Sequence, residues 1–176
     1  GFGAVGVNPV SGYVYAASDS SNTVTVVSGT EVITTLLVDA APNAIGVNPA
    51  TGYAYVTSIF SHTVTVLSGT EVITTLPTGT SPVAIGVNPV SGYVYVVDQG
   101  PALGNGDVTV ISGTEVITTL ATSKLAHTIG VNPASGYVYV GDGSAIAVLS
   151  GTQVITTLTD NVLWGYAIGV NPVTGF

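Results

Sequence analysis

Cysteine and methionine are both missing from this chain, and positive charge is nearly so. Without cysteine there is no disulfide, no thiolate metal site and no cysteine nucleophile, and the absence fits either redox compartment. Lys124 is the single basic residue against nine acidic ones, for a formal charge of −8. Nucleic acid and anionic membrane need a basic surface, so neither is expected as a partner. No apolar run reaches the roughly 18 residues that a membrane helix requires, so no membrane span is expected. A signal-like start is also absent, and the chain is expected to be a mature, processed product or an excised segment. No Asn-X-Ser/Thr triplet occurs, whereas Thr and Ser supply most of the polar surface and would accept O-glycans. Such a surface suits an exported or wall-associated protein, and an extracellular or cell-surface location is expected.

What the chain does contain is a repeat. A Gly-Val-Asn-Pro phrase begins at Gly6, Gly46, Gly86, Gly130 and Gly169, in steps of 40, 40, 44 and 39. A Tyr-x-Tyr phrase follows four times, at Tyr13/Tyr15, Tyr53/Tyr55, Tyr93/Tyr95 and Tyr137/Tyr139. "SGTEVITTL" closes three units, at 28–36, 68–76 and 112–120, and "SGTQVITTL" closes the fourth at 150–158. Apolar residues alternate with Thr, Ser, Tyr and Gly, which is the period of strands, and nothing reads as a helix.

The first unit resolves into strand a at 4–7, b at 13–16, c at 23–27 and d at 32–36. Between a and b, Pro9 presets φ, Asn8 is pushed extended by the following proline, and Gly12 takes the left-handed conformation that returns the chain. Ser28-Gly29-Thr30-Glu31 makes the c–d hairpin. The b–c connection varies, and the third unit has a longer loop at 98–107. Four antiparallel strands per 40–45 residues describe a β-propeller blade, too small to be stable alone, so neighbouring blades must cover both faces. Hence c strands such as Val24-Thr25-Val26-Val27 are apolar or Thr on both sides. The glycines of strand a are expected to permit close backbone approach near the axis. Each Tyr pair is expected on one sheet face, filling the wedge between blades.

"AIGVNPVSGYVYVV" followed by "DVTVISGTEVITTL" resembles the YVTN-type β-propeller repeat of bacterial and archaeal surface and exported proteins. That resemblance covers nearly the whole chain and implies a scaffold without specifying an activity. The chain departs from the pattern where the Asn after strand b becomes Ser18, Ser58, Asp98 and Asp142. Family members commonly have seven blades, against four here. The expected fold is all-β, with a four-bladed propeller at 1–162 and a terminal strand at 163–176 that repeats the first inner strand.

Chemistry-bearing residues are few. His62 and His127 are each alone in their repeat, and His62 replaces the Asn of "SNTVTV", which marks a loop residue. Glu31, Glu71 and Glu115 recur at the c–d turn and read as a solvated rim. Asp19, Asp98 and Asp142 follow strand b, where Asp closes its own turn. In the longer loop, Asp98, Asn105 and Asp107 are weak candidates for Ca²⁺, although their spacing matches no EF-hand. No other cofactor is expected. A nucleophile elbow, a P-loop and a dinucleotide-binding glycine motif are all absent. No catalytic residue is assigned, and the chain is not expected to be an enzyme.

Strand a occurs five times, and b, c and d four times each. The surplus strand at 167–170 has to close its own ring, continue a longer propeller, or enter the matching slot of another copy by strand addition. Such a contact is head-to-tail and heterologous, and it makes a filament unless it closes. Four of the five aromatics outside the Tyr pairs lie at the termini. The expected assembly surface is therefore Phe2, Ala4, Val5, Val7, Trp164, Tyr166, Ile168, Val170 and Phe176. The leading expectation is a structural subunit of an extracellular filament or surface layer, with copies of itself as partners. A monomeric adhesion or ligand-binding propeller, or a fragment of a larger propeller, comes second, and a lactonase-like hydrolase third.

Overall fold

A computed structural model describes residues 2–101, 105–142, 145–159 and 167–171. The described residues contain no helix and form four blades, each a four-stranded antiparallel sheet in chain order. Blade 1 comprises β1 (Phe2–Val7), β2 (Tyr13–Ser18), β3 (Thr23–Ser28) and β4 (Glu31–Leu37). Blade 2 comprises β5 (Pro42–Val47), β6 (Tyr53–Ser58), β7 (Thr63–Ser68) and β8 (Glu71–Pro77). Blade 3 follows with β9 (Pro82–Val87), β10 (Tyr93–Asp98), β11 (Asn105–Ser112) and β12 (Glu115–Lys124). Blade 4 has β13 (Thr128–Val131), β14 (Val138–Gly141), β15 (Ala145–Ser150) and β16 (Gln153–Thr159). The expected β-propeller architecture is the one observed.

Boundaries differ from the sequence reading by a residue or two, and most in blade 3. There the loop expected at 98–107 is partly strand: Asp98 pairs with Asp107, and Asn105 with Lys124. A register shift recurs in every c–d pair, after Val26, Val66, Val110 and Val148. Repeated bulges of this kind increase local twist.

The a–b turn has the expected chemistry with one addition. Gly12 sits at φ 75°, and its N–H donates to the Asn8 carbonyl at 2.9 Å. Asn8 is buried, and its Oδ1 accepts from the N–H groups of Val10 and Ser11. Its Nδ2 then reaches across to donate to the Gly52 carbonyl of the next blade at 2.7 Å. Asn48 does the same to Gly92, and Asn88 to Gly136. One side chain closes its own turn and ties two blades together.

Between blades lie three buried cores. The first joins Tyr15, Ala17, Val24 and Val26 of blade 1 to Ala54, Val56 and Leu67 of blade 2. Equivalent cores join blades 2 and 3, and blades 3 and 4. Tyr15, Tyr55 and Tyr95 are fully buried in these wedges, as expected. Their hydroxyls donate to the c–d turn carbonyls of the following blade, at Gly69, Gly113 and Gly151. The strand-a glycines have a more specific reason than crowding at the axis. A Cβ at Gly6 would stand 2.5 Å from Ile45 Cγ2, and one at Gly130 would stand 2.6 Å from Ile168 Cγ2. Each glycine is the seat for the Ile of the next inner strand.

Candidate functional site

Every interior blade uses both faces, so the two end blades show what the repeat leaves over. Among the described residues no fourth core joins blade 4 to blade 1. On the rear face of blade 1, Val5 and Val7 are 61% and 60% exposed. Val14, Ala16 and Val27 behind them are half-buried, whereas their counterparts Ala54, Val56 and Leu67 are fully buried. On the forward face of blade 4, Ile146 is 37% exposed, where Val24, Val64 and Val108 are fully buried. Leu158 is 51% exposed in the position of the buried Leu76.

The hydrogen-bonding pattern is truncated in the same way. Tyr139 stands where Tyr15, Tyr55 and Tyr95 stand, yet it is only half-buried and its hydroxyl finds no acceptor among the described residues. Gly29 stands where Gly69, Gly113 and Gly151 stand, yet it is exposed and receives no tyrosine hydroxyl from them. The two ends are the two unmatched halves of a contact that the chain makes three times internally.

Residues 167–171 occupy the forward side of blade 4. Ile168 and Val170 lie over Gly130 as Ile45 and Val47 lie over Gly6, so one face of this segment is satisfied within its own molecule. It does not take the inner slot of blade 1, where β1 remains paired with β2. A Cβ added at Gly169 would meet nothing within 4 Å. Of the expected assembly residues, Val5 and Val7 thus face outward at one end, Ala4 lies on the opposite side of β1 with Gly6, toward blade 2, and Ile168 and Val170 are seated on Gly130 at the other end. Trp164, Tyr166 and Phe176 lie outside the described residues, as does the side chain of Phe2.

Asp98 and Asp107 are brought together as cross-strand neighbours, while Asn105 is exposed at the start of β11. Asp98 is fully buried, and its Oδ2 accepts from the Thr109 hydroxyl at 2.7 Å. The Oδ1 atoms of both carboxyls are buried without a donor. Burial, opposed by the Thr109 bond and reinforced by the charge of Asp107, pushes Asp98 up to about 7. Burial raises Asp107 as well. Two carboxyls this close cannot both ionise cheaply, so they share a proton. As a Ca²⁺ site the pair supplies at most four carboxylate oxygens, one of them already bonded to Thr109, of the six to eight ligands required. Among the described residues no group of three His, Cys, Asp or Glu side chains adds to it. Blade 2 explains the arrangement: there Asp39 of the d–a loop accepts from Thr63. In blade 3 the loop position is Gly79, the Thr63 position is Asp107, and a Cβ on Gly79 would collide with the Asp107 carboxylate.

His62 is a structural residue. It adopts φ 57° and its Nδ1 accepts from the Ser81 N–H, as Asn22 at φ 56° accepts from Ala41. Beside it, the connections of blades 1 and 2 enclose a cleft of about 380 Å³ lined by Asp19, Ser20, Ala41, Asn43, Ile59 and Phe60. Phe60 is 78% exposed at this cleft. Sequence reading gave Phe60 no role. Its signal was an aromatic in a loop position held by Ser in "SDSSNTV".

No family model matches the chain, and no curated protein does. Solved structures do match in fold, at low identity. Hydrazine synthase of Kuenenia stuttgartiensis is 18% identical, with a TM-score of 0.77 over 91% of this chain and 49% of its own. A putative 6-phosphogluconolactonase of Bacteroides uniformis is 14% identical, with a TM-score of 0.75 over 92% and 56%. Virginiamycin B lyase of Staphylococcus aureus is 11% identical, with a TM-score of 0.74 over 92% and 55%. These neighbours are β-propellers, and the chain spans about half their length. Identities this low carry the fold alone.

Proposed function

We propose that this chain is a structural subunit that associates head to tail with copies of itself, outside the cell, into a filament or surface layer. A YVTN-type repeat and a Thr-rich, weakly charged surface suit that role. One observation carries it: among the described residues, the rear face of blade 1 at Val5 and Val7, and the outer part of the forward face of blade 4 at Ile146 and Leu158, are apolar and exposed. Contiguous apolar faces of this kind mark contacts. Because the two faces differ, each added copy presents a fresh pair, and growth is open-ended. Light scattering on the 176-residue chain over a concentration series tests this. Mass rising with concentration is expected; a monomer throughout would end the proposal.

A second reading rests on Phe60. An exposed ring at the edge of this cleft offers a stacking surface for the face of a sugar, which suits an adhesion module. Titrating a panel of neutral oligosaccharides while following Phe60 resonances by NMR would test it. Absence of any shift removes this reading. The activities named for the solved neighbours belong to proteins about twice as long, so a hydrolase or lyase reading has fold-level support only.

A further inference from the structure

We propose that two copies join through a shared blade, in which residues 167–170 of one copy supply the inner strand and β2, β3 and β4 of the next supply the other three. This rests on the head-to-tail reading above and gives its contact. The same phrase occurs at both ends of the chain, paired as β1 at one and unpaired at residues 167–170 at the other. β1 has one satisfied face: Gly6 seats Ile45 and Val47, while Val5 and Val7 are largely exposed. Residues 167–170 have the opposite half: Ile168 and Val170 are seated on Gly130, while Gly169 faces open space. Among the described residues neither segment is covered on both sides, and residues 167–170 are not paired as a strand.

Moving residues 167–170 into the slot of β1 in a second copy satisfies both sides at once. Ile168 and Val170 stay on Gly130 of their own molecule, and Gly169 becomes the seat for Ile45 and Val47 of the neighbour. The strand-pairing register is preserved, because Ala4-Val5-Gly6-Val7 and Ala167-Ile168-Gly169-Val170 align residue for residue. Ala167 would stand opposite Ala17 of the neighbour, as Ala4 now does, and Gly169 opposite Tyr15. The remaining strands of blade 1 then lie directly against blade 4. Val14, Ala16 and Val27 of the neighbour cover Ile146 and Leu158, and the Tyr139 hydroxyl reaches the Gly29 carbonyl of the neighbour. That bond completes the series made at Gly69, Gly113 and Gly151. Stacking without exchange fails on this point: the seat on Gly130 that Val5 and Val7 of a neighbour would need is already filled by Ile168 and Val170. Two half-buried segments become one fully buried segment and one released strand, β1, so the gain lies in the covering of Ile146 and Leu158 and in the Tyr139 bond.

The chain has no cysteine of its own, so paired cysteines read the contact directly. Cross-strand neighbours are within disulfide reach. Wild-type chain in light scattering decides the head-to-tail reading. Given polymers there, oxidised Ala17→Cys/Ala167→Cys chain should run as a ladder of covalent multimers on a non-reducing gel. A single-chain band would overturn the shared blade. Oxidised Ala4→Cys/Ala17→Cys chain has β1 locked in place and should stay monomeric, then polymerise when reduced. Polymerisation while locked would overturn the shared blade and leave head-to-tail contact by another route. Gly169→Ala guards against misfolding of the cysteine variants, since its added Cβ meets nothing in the single chain. It should fold as wild type and assemble at least tenfold more weakly; assembly unchanged would overturn the proposal.

Discussion

Asn48 is where the repeat concentrates most dependence on one side chain. It is 1% exposed, its Oδ1 accepts from the Ala50 N–H at 2.9 Å and the Thr51 N–H at 3.4 Å, and its Nδ2 donates to the Gly92 carbonyl at 3.0 Å. Asn48→Ala removes two good hydrogen bonds and strands their partners, which costs about 2–3 kcal/mol. For a chain of this size that corresponds to a fall in Tm of roughly 5–10 °C. Asn48→Asp separates the two jobs. The carboxylate keeps both turn bonds but points an acceptor at the Gly92 carbonyl, so at neutral pH the loss should equal or exceed that of Asn48→Ala. Acid should restore it, because a protonated carboxyl can donate to that carbonyl. The native state then holds a proton that the unfolded state releases, so stability falls as pH rises above about 4, the usual range for an unfolded Asp. Urea unfolding at pH 4 and pH 7 on wild type and both variants is the assay. Asn48→Asp as stable as wild type at pH 7, or Asn48→Ala within about 0.5 kcal/mol of it, would refute the role of this residue as an inter-blade tie.

Three other outcomes follow from the same geometry. Gly46→Ala drives a Cβ into Ile85 and should cost about 1–3 kcal/mol by overpacking, read from the shift in urea midpoint; no loss would refute the seat argument. Asp98 is raised from 3.8 to about 7, so the native state binds a proton that the unfolded state has lost, and wild-type Tm should decline between those values. Such a shift carries on the order of 4 kcal/mol, and Asp98→Asn, which keeps a neutral partner for Asp107, should flatten the decline; a parallel pH profile would sink the shared proton. Tyr95→Phe loses the bond to Gly151 and should cost about 1 kcal/mol, whereas Tyr139→Phe should leave the stability of the single chain unchanged. Equal losses in thermal melts of the two would contradict the open forward face.

The architecture was legible because each blade is spelled out four times. Period-two alternation sets the strands, Pro and Gly at constant offsets set the turns, and apolar residues on both sides of strand c require a blade on each side. Even the surplus of strand a was a matter of counting. The acid pair was half legible: Asp98, Asn105 and Asp107 could be picked out, but not that Asn105 would be exposed while the other two faced each other across strands. The inter-blade ties from Asn8, Asn48 and Asn88, and from the Tyr15, Tyr55 and Tyr95 hydroxyls, were not legible. Their acceptors are carbonyls some 40–60 residues away, and a backbone carbonyl has no signature in sequence. Nor could the sequence say which face of residues 167–171 is covered. Local periodicity specifies that a strand has two apolar sides. Only the packing of blade against blade decides which side is filled by its own chain, and so left Gly169, Val5 and Val7 looking outward.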